Sequence, residues 1–438
     1  MNKRVVRIQV VLGSDAVKAG ELVFEKEGDR QFSMFRYSPA WLERKDAFAI
    51  APAMPLLDAP FFSSGTRDEP RLSLPDPFAD ASPDSWGRTL VNATMDRGAD
   101  EIDYLIRADD FTRTGALRFQ DENGVFLSTA TPRVPRLADL PDLRRLAHAW
   151  ETNSAMKKEV LDELQGYVGS LGGARPKSNI DDNGVLSIIK FTSTHDRVPV
   201  ERAEVATLNL AGTTGINAAV SRIELGNTDY PVALITRFDR DRQSRVPYIS
   251  ARTFMGRETP EPVYYTDIVD MMVAHCQEPR QQMHELYRRI LFYILVSNND
   301  DHLQNHGFLY AGDNRWQLSP AFDINPQPLR HRSLKTGISE LSGNEASIEA
   351  AIEAAPFFDV EQDMAVQTLN DMLDVIDGSW RSLYRDAGMT ESEIDYYGPA
   401  FNHAETQIAR RITGATVTTS NPEQSEQDRT ESPTARSP

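Results

Sequence analysis

Residues 283–323 restrict the possible fold of this chain more than any other stretch of its sequence. The first part, 283–296, predicts a helix, because its apolar residues recur at spacings of three and four and form one stripe: Met283, Leu286, Ile290 and Ile294. The last turns of this helix are apolar on every side, so we expect them to be buried. A polar loop at 297–305, a hairpin at 308–318 and Asp323 follow. Polar side chains are therefore presented at both ends of a hairpin that is anchored to the core.

The polar residues of this stretch have the spacing of a phosphate-transferring site. Asp300 is followed five residues later by Asn305, as in kinase catalytic loops, where the aspartate orients the substrate hydroxyl and the asparagine binds magnesium. The hairpin would turn Asp323 back toward this loop as a second magnesium ligand. His302 stands where many protein kinases have a lysine, and it either contacts phosphate or braces the loop. The stretch therefore predicts a magnesium-dependent phosphotransferase.

Zinc is a weaker interpretation of the same loop. His302 and His306 are four residues apart and lie close to Asp300 in the sequence. No third histidine or cysteine is nearby, and the glycine after His306 is expected to begin a strand. The residue types therefore favour magnesium.

A glycine-rich segment at 170–177 predicts part of a phosphate-binding loop. Gly172 and Gly173 let backbone N–H groups approach phosphate oxygens closely, and the segment ends at Lys177. It is not a Walker loop, because it lacks Gly-Lys-Ser/Thr at the required spacing. The paired glycines alone are weak evidence, since such pairs usually mark turns.

The strand that follows strengthens the interpretation as a nucleotide site. Residues 185–191 are rich in β-branched side chains and carry Lys190 near their end. We expect Lys190 to bind the α- and β-phosphates and Glu204, on the next helix, to hold that lysine in place. A further strand ends near Thr236 and Phe238, whose backbone groups are candidates for pairing with the adenine edge. A simple core position for Phe238 is the open alternative.

Composition and charge limit the other functional classes. The chain has 438 residues, 47 basic against 65 acidic, and a net charge of −18, so binding to nucleic acid over its whole surface is not expected. A basic cluster at 328–335 is short enough to be solvated surface. No apolar run of 18 residues and no signal-peptide pattern occur, which predicts a cytoplasmic protein without membrane contact. The single cysteine, Cys276, predicts a packed apolar residue in a reducing compartment.

The secondary-structure pattern predicts an α+β protein with a β-rich first part and a mostly helical second half. Strands are expected at 4–12 and, as a hairpin, at 20–26 and 31–37, with four residues facing inward: Leu22, Phe24, Phe32 and Met34. Residues 51–83 lack periodicity and predict an irregular, packed loop. A helix then begins with Ser82 or Asp84 as its N-cap.

The chain resembles the HipA family of serine/threonine kinases, the toxin half of type II toxin–antitoxin systems. Order and spacing agree along most of residues 1–410, on these segments: 82–88 (SPDSWGR), 115–119 (GALRF), 170–177 (SLGGARPK), 188–190 (IIK), 237–240 (RFDR), 299–307 (NDDHLQNHG) and 322–323 (FD). The resemblance implies a protein-kinase-like, two-lobed fold with an added N-terminal β-rich subdomain at 1–135. The N-lobe is then expected at 136–240 and the helical C-lobe at 241–416. Residues 417–438 are polar, lie outside the resemblance and predict a disordered tail.

The resemblance also implies residue roles, cofactors and partners. It implies ATP and magnesium, with Asp300 as the catalytic base, Asn305 and Asp323 as magnesium ligands and Lys190 as the nucleotide lysine. Ser170 lies where the family carries a loop serine that becomes autophosphorylated. The implied partners are a DNA-binding, HipB-like antitoxin, through which the chain would reach DNA indirectly, and a protein substrate, for which aminoacyl-tRNA synthetases are the candidate class.

Two other functions stay open on the sequence alone. One is a catalytically silent co-repressor that binds an antitoxin. The other is a small-molecule or lipid kinase, because the pattern Asp-x-His-x-x-Asn also occurs in phosphatidylinositol kinases.

Overall fold

The N-terminal part of the chain forms a five-stranded antiparallel sheet with short helices packed beside it. The structure is a computed structural model that describes residues 3–95, 98–129, 134–152, 175–228, 230–242, 244–256, 262–330 and 332–414. The strand order is β4-β3-β2-β1-β5. The strands are β1 Arg4–Leu12, β2 Val17–Glu27, β3 Arg30–Tyr37, β4 Phe61–Gly65 and β5 Leu117–Gln120, and the helices are α1 Pro39–Leu42, α2 Asp76–Asp80, α3 Ser85–Ala93 and α4 Glu101–Arg107. We refer to these elements together as the N-terminal domain.

The inward face of β3 is the opposite of the predicted one. Phe35 and Tyr37 are buried in the core of the N-terminal domain, whereas Phe32 is 39% exposed and Met34 is only partly buried. Side chains alternate along a strand, so an assignment that is wrong by one residue places every apolar residue on the wrong face. Strand β3 has aromatic residues at even positions (Phe32) and at odd positions (Phe35 and Tyr37), so the alternation of apolar residues does not show which face is buried.

Residues 51–83 contain more regular structure than predicted. Strand β4 extends the sheet and helix α2 lies within the predicted loop. Both elements have five residues, too few for a periodic signal. Helix α3 begins after Asp84, one of the two predicted N-caps, whose Oδ1 accepts a hydrogen bond of 2.7 Å from Gly87 N.

A four-stranded antiparallel sheet and two helices form the next layer of the chain. Its strand order is β6-β7-β9-β8. The elements are helix α5 Leu140–Thr152, strands β6 Lys177–Asp182 and β7 Val185–Phe191, helix α6 Val200–Thr213, and strands β8 Ser221–Glu224 and β9 Val232–Thr236. Helix α5 covers one face of the sheet with Leu140, Leu143 and Ala147, which pack on Ile189 and Leu234. The predicted strand at 185–191 and the helix from Val200 are confirmed.

The second half of the chain is mainly helical around one large core. It contains the short hairpin β10 Arg240–Asp241 and β11 Ser244–Arg245, and a sheet in the order β12-β13-β14 made of β12 Tyr248–Ser250, β13 Gly307–Gly312 and β14 Arg315–Leu318. Its helices are α7 Ala251–Met255, α8 Tyr265–His275, α9 Pro279–Leu295, α10 Ile348–Ala354, α11 Gln362–Asp386, α12 Glu391–Phe401 and α13 Ala404–Thr413. The α+β class predicted from the sequence is confirmed.

Helix α9 is the centre of that core. It begins at Pro279, four residues before the predicted start, and its residues Ile290 to Leu295 are fully buried. Arg289 is also buried, and its guanidinium is neutralised by Glu285 one turn earlier, at 2.9 Å. Burying a charge is tolerated when it is paired in this way.

The predicted packing of Cys276 is observed, because its side chain is buried. Burial raises the pKa of this thiol to about 12.

Helix α6 is attached to the helical half at two points. Arg202 donates to the backbone oxygen of Ala387 at the end of α11, at 2.6 Å, and Thr207 shares a hydrogen bond of 2.9 Å with the hydroxyl of Tyr384. These bonds fix the helix that carries Glu204.

Within the described ranges, no helix combines the length and apolar character needed to cross a membrane. The proposed boundaries at 135/136 and 240/241 stay predictions, and the tail from 417 lies outside the described residues.

The register of β3 can be tested with two matched substitutions. Phe35→Ala should lower the free energy of unfolding by about 3–5 kcal/mol, because it removes a buried ring that packs on Tyr37 and Phe78. Phe32→Ala should cost less than about 1 kcal/mol, because that ring is largely exposed. Thermal unfolding followed by circular dichroism measures both. Equal losses for the two variants would contradict the inward face described above.

Candidate functional site

A cavity of about 350 Å³ lies where three parts of the chain meet. One wall is the β6–β9 sheet, with Lys190 and Ile188. A second wall comes from residues 79–85 of the N-terminal domain, and the third from residues 302–305 together with Phe322 and Asp323. This volume lies within the range of small-molecule sites. The cavity therefore brings together the two halves of the site predicted from the sequence.

Lys190 joins two carboxylates that come from distant parts of the sequence. Its Nζ lies 2.6 Å from Glu204 Oε1 on α6 and 2.7 Å from Asp323 Oδ1. The lysine side chain is 13% exposed and that of Glu204 is 3% exposed. Residues separated by more than 130 positions in the sequence thus meet at one ammonium group. The pairing of Lys190 with Glu204 has the geometry expected from the sequence, while their nucleotide role stays a prediction.

The charges of this cluster depend on one another. Burial alone would lower the pKa of Lys190, but the two carboxylates outweigh burial and raise it. Burial raises the pKa of Glu204, and the opposing attraction of Lys190 does not cancel that effect. Burial also opposes the ionisation of Asp323, yet Lys190 lowers its pKa to about 2. The cluster thus holds an ionised lysine and an ionised Asp323 at neutral pH.

Asp323 has an unusual backbone conformation. Its φ is 57°, in the left-handed region that residues other than glycine rarely occupy. Neighbouring bonds hold this conformation, because Ala321 pairs with Asn217 and Ala219, and Asn325 Nδ2 donates to Asp323 Oδ1 at 3.0 Å. Strained backbone of this kind concentrates at functional sites, where surrounding structure imposes it.

The loop after α9 places Asp300 and Asn305 differently. Asn305 is buried and lines the cavity, and its Nδ2 donates to the backbone oxygen of Asp300 at 2.9 Å. The side chain of Asp300 is exposed and lies outside the cavity lining. His302 lines the cavity, and its Nδ1 accepts a bond of 3.3 Å from Gln304 N. His302 therefore braces the loop, and its contact with phosphate stays a prediction.

Asp301 fixes this loop and was missed by the sequence reasoning. It is buried and accepts hydrogen bonds from the hydroxyl of Tyr265 and from His306 Nε2, the latter at 2.8 Å. Its backbone oxygen accepts from Thr336 Oγ1 at 2.8 Å. The side chains of the two adjacent aspartates differ in burial, since Asp300 is exposed and Asp301 is buried. The signal for this pairing in the sequence is His306, five residues after Asp301.

A buried cluster of charges fixes the connection after β9. Arg237 donates to both oxygens of Asp239, at 2.8 and 2.6 Å, and to the backbone oxygen of Thr112 at 2.6 Å. Asp239 also accepts from Gly115 N at 2.7 Å. Burial opposes ionisation of Asp239, but Arg237 and Arg240 lower its pKa. The N-terminal domain thereby holds the backbone next to the cavity.

Thr236 and Phe238 both line the cavity, as predicted for the adenine end. The N–H of Thr236 already donates to Val220 O at 2.8 Å. A base bound here would therefore have to use other backbone groups than that N–H. The ring of Phe238 lies 5.5 Å from that of Phe322, so both rings form an apolar end of the cavity.

Lys177 lines the cavity and pairs with the N-terminal domain. It is 8% exposed, and its Nζ lies 3.1 Å from Asp84 Oδ2. This contact was not predicted, because residues 93 positions apart give no local signal. Ser170, Gly172 and Gly173 lie outside the described residues.

The residue types at the cavity fit magnesium bound together with phosphates. Asn305 and Asp323 supply oxygen ligands and both line the cavity. In the described part of the chain, no three His, Cys, Asp or Glu side chains are grouped to hold a metal ion. Magnesium commonly takes one or two protein ligands and completes its shell with water and substrate phosphates. Two oxygen ligands beside Lys190 are therefore sufficient for such a site.

Two family models match the chain. Residues 9–120 match the HipA N-terminal domain, and residues 169–380 match the HipA-like C-terminal domain. Together these matches span most of the five-stranded sheet, the residues that line the cavity and the larger part of the helical core.

Solved structures show the same fold. A chain of the Shewanella oneidensis MR-1 toxin–antitoxin complex of HipA, HipB and operator DNA matches with a TM-score of 0.67 and 16% identity, over 94% of this chain and 100% of that one. The two-lobed fold with an added N-terminal domain is thus confirmed. The Helicobacter pylori proinflammatory kinase CtkA matches at a TM-score of 0.40 and 13% identity, over 54% of this chain and 93% of that one, too weakly to indicate a shared fold.

A curated relative matches over a shorter stretch. A Haemophilus influenzae protein, described provisionally as a kinase, is 31% identical over 108 residues, which are 22% of this chain and 32% of the relative. The chain therefore spans about a third of the length of that relative.

Asp323→Asn should destabilise the protein more at neutral pH than in acid. The pKa of Asp323 is about 2 in the folded protein, below the value of about 3.9 in an unfolded chain. Its ionised form therefore contributes stability above about pH 4, which is lost as the pH falls toward 2. The difference in unfolding free energy between wild type and variant should shrink by about 1–2 kcal/mol across this window, because partial exposure screens the pair.

Urea unfolding monitored by tryptophan fluorescence measures this difference. Asp313→Asn, in the exposed hairpin turn, is the matched control and should follow wild type at every pH. A difference for Asp323→Asn that stays constant from pH 7 to pH 2.5 would contradict the ion pair with Lys190.

Proposed function

The chain belongs to the HipA family and has a kinase-like fold, and from this premise we propose that it is an ATP- and magnesium-dependent serine/threonine protein kinase. The observation that carries the proposal is the placement of Lys190 between Glu204 and Asp323 on the wall of a cavity of nucleotide size. A lysine paired with a helix glutamate and facing a metal-binding aspartate is the arrangement that kinases use.

The residues divide into a nucleotide group and a metal group. Lys190 would contact the α- and β-phosphates, with Glu204 holding its ammonium in place, and Lys177 would add a second positive charge. Asn305 and Asp323 would hold magnesium. When bound, ATP supplies the phosphoryl group and magnesium offsets its charge. Gly172 and Gly173 are proposed to cover the phosphates, and Thr236 and Phe238 to border the base.

Asp300 is proposed to accept the proton of the attacking hydroxyl, with His302 keeping the loop in shape. Its side chain is exposed, whereas its neighbour Asp301 is buried and hydrogen-bonded. An exposed carboxylate two residues before His302, which lines the cavity, can be reached by a serine on a large partner, which favours a protein acceptor over a small molecule. Aminoacyl-tRNA synthetases are the proposed class of substrate.

Autophosphorylation of Ser170 is proposed as a restraint on activity. A phosphate adds about −1.5 to −2 charges. In a loop beside the ATP phosphates it would compete for the same donors and lower activity. Mass spectrometry of the purified protein after incubation with Mg-ATP tests this step.

A HipB-like, DNA-binding antitoxin is the proposed partner. The similar Shewanella oneidensis chain was solved in a complex with HipB and operator DNA. The net charge of −18 makes direct binding to DNA unfavourable, so we propose that contact with DNA is made through the antitoxin. A small helix-turn-helix protein encoded next to this chain, and its co-purification with the chain, would support this assignment.

Asp300→Asn should abolish phosphate transfer while leaving nucleotide binding intact. Loss of a general base typically lowers the rate by roughly 10²–10⁴-fold. Asp323→Asn should remove both transfer and magnesium-dependent ATP binding. Transfer from radiolabelled ATP and calorimetry with Mg-ATP measure the two properties separately, with Asp313→Asn as the matched control that behaves as wild type.

The outcomes separate the competing functions. Undiminished transfer by folded Asp300→Asn would falsify the assigned role. An absence of Mg-ATP binding by wild type would favour a silent co-repressor. Phosphorylation of small molecules or lipids, with none on protein, would favour the other class of kinase.

A further inference from the structure

The start of helix α3 contacts Lys177, the first residue of strand β6, in two ways. Asp84, the N-cap of α3, lies 3.1 Å from Lys177 Nζ through Oδ2. Two residues further on, the indole Nε1 of Trp86 donates to the backbone oxygen of Lys177 at 3.1 Å. The N-terminal domain therefore contacts both the side chain and the backbone of this residue.

Lys177 stands directly opposite Lys190 in the sheet. The two residues are paired in the antiparallel register of β6 and β7. Directly paired residues project to the same face, and both side chains line the cavity. Like charges in this position repel each other, so each ammonium needs its own counter-charge. Lys190 has Glu204 and Asp323, and Lys177 has Asp84.

Among the groups around Lys177, Asp84 does most to favour its charged form. Burial lowers the pKa of Lys177, and the nearby ammonium of Lys190 acts in the same direction, while Asp84 and, more weakly, Asp323 oppose both. The side chains of Lys177 and Asp84 are 4% and 7% exposed. An isolated buried ammonium is costly and tends to lose its proton. The partner that keeps it charged comes from a different domain.

The orientation of Asp84 is itself fixed. Its Oδ1 accepts from Gly87 N at 2.7 Å in the first turn of α3, which leaves Oδ2 directed at Lys177. Arg71, also in the cavity lining, lies near enough to attract the same carboxylate. The carboxylate is thus held by its helix on one side and by cations on the other.

We propose that Asp84 is a positioning residue of the nucleotide site, which holds Lys177 in place as a second phosphate-binding cation beside Lys190. This inference rests on the proposed function, because it assumes that phosphates occupy the cavity. The N-terminal domain then completes the site rather than merely adjoining it. Binding of phosphate and docking of α3 on β6 depend on the same lysine.

Asp84→Asn is the decisive variant, since asparagine caps helices as well as aspartate does and keeps the bond to Gly87 N. The substitution removes the charge and leaves the cap. Asp84→Glu tests rescue by a carboxylate, and Lys177→Met removes the partner. Asp377→Asn, which breaks the exposed ion pair with Arg410 outside the cavity lining, is the matched control.

Calorimetry with two ligands, Mg-ATP and adenosine, tests this role of Asp84. For Asp84→Asn we expect the Kd of Mg-ATP to rise at least tenfold, while the Kd of adenosine, which has no phosphates, changes less than twofold. Asp84→Glu should recover most of the ATP affinity. The double variant Asp84→Asn with Lys177→Met should bind Mg-ATP as Lys177→Met alone does, because the two residues act as one unit.

Several results would overturn the inference. Unchanged or tighter Mg-ATP binding by Asp84→Asn would do so, as would equal losses for ATP and adenosine, or additive losses in the double variant. In each of these cases wild type still binds Mg-ATP, so the proposed function survives. If wild type binds no Mg-ATP, both the proposed function and this inference fail.

Discussion

The ammonium group of Lys190 is the point at which the separate parts of this structure are held together. It bonds to Glu204 on α6 and to Asp323 after the β14 strand, and its own strand lies beside β6 and β9. A buried cation with two carboxylates is stable only when all three groups stay in place, because the loss of one leaves an uncompensated charge. The left-handed backbone of Asp323 and the anchoring of α6 to α11 both serve this requirement. The geometry of the cavity is thus fixed by electrostatics as well as by packing.

A second buried charge cluster extends this control to the N-terminal domain. Arg237 and Asp239 follow directly after β9 and bond to the backbone of Thr112 and Gly115. Asp84 forms an ion pair with Lys177, another residue of the cavity lining. The domain therefore holds the cavity at two places. The N-terminal β-rich domain is therefore part of the cavity wall and helps to fix its geometry.

Much of this arrangement could be predicted from the sequence, and the failures have physical reasons. The helix ending before Ser297, the hairpin and Lys190 at the end of its strand are local patterns with strong periodicity or specific spacing. The pairing of Lys190 with Glu204 could be expected from a lysine-bearing strand followed by a helix, whereas the contact of Lys190 with Asp323 could not, because these two residues are far apart in the sequence. The face of β3 was predicted wrongly because Phe32 and Phe35 are both aromatic. The pairing of Asp84 with Lys177 was missed because contacts across domains leave no local pattern. The role of Asp301 was missed because the sequence does not show which of two adjacent aspartates is buried.

The attachment of α6 to the helical half has a consequence for the energetics of the cavity. Arg202 and Thr207 bond to Ala387 and Tyr384 of the helical half, so the helix that carries Glu204 is fixed to that half by the fold itself. A ligand entering the cavity would find Lys190 already oriented and would not have to draw these two parts together. The entropy of assembling them has been lost during folding rather than at the moment of binding. The part of the site around Lys190 and Glu204 is therefore preorganised, and the phosphate contacts do not have to offset the cost of ordering it.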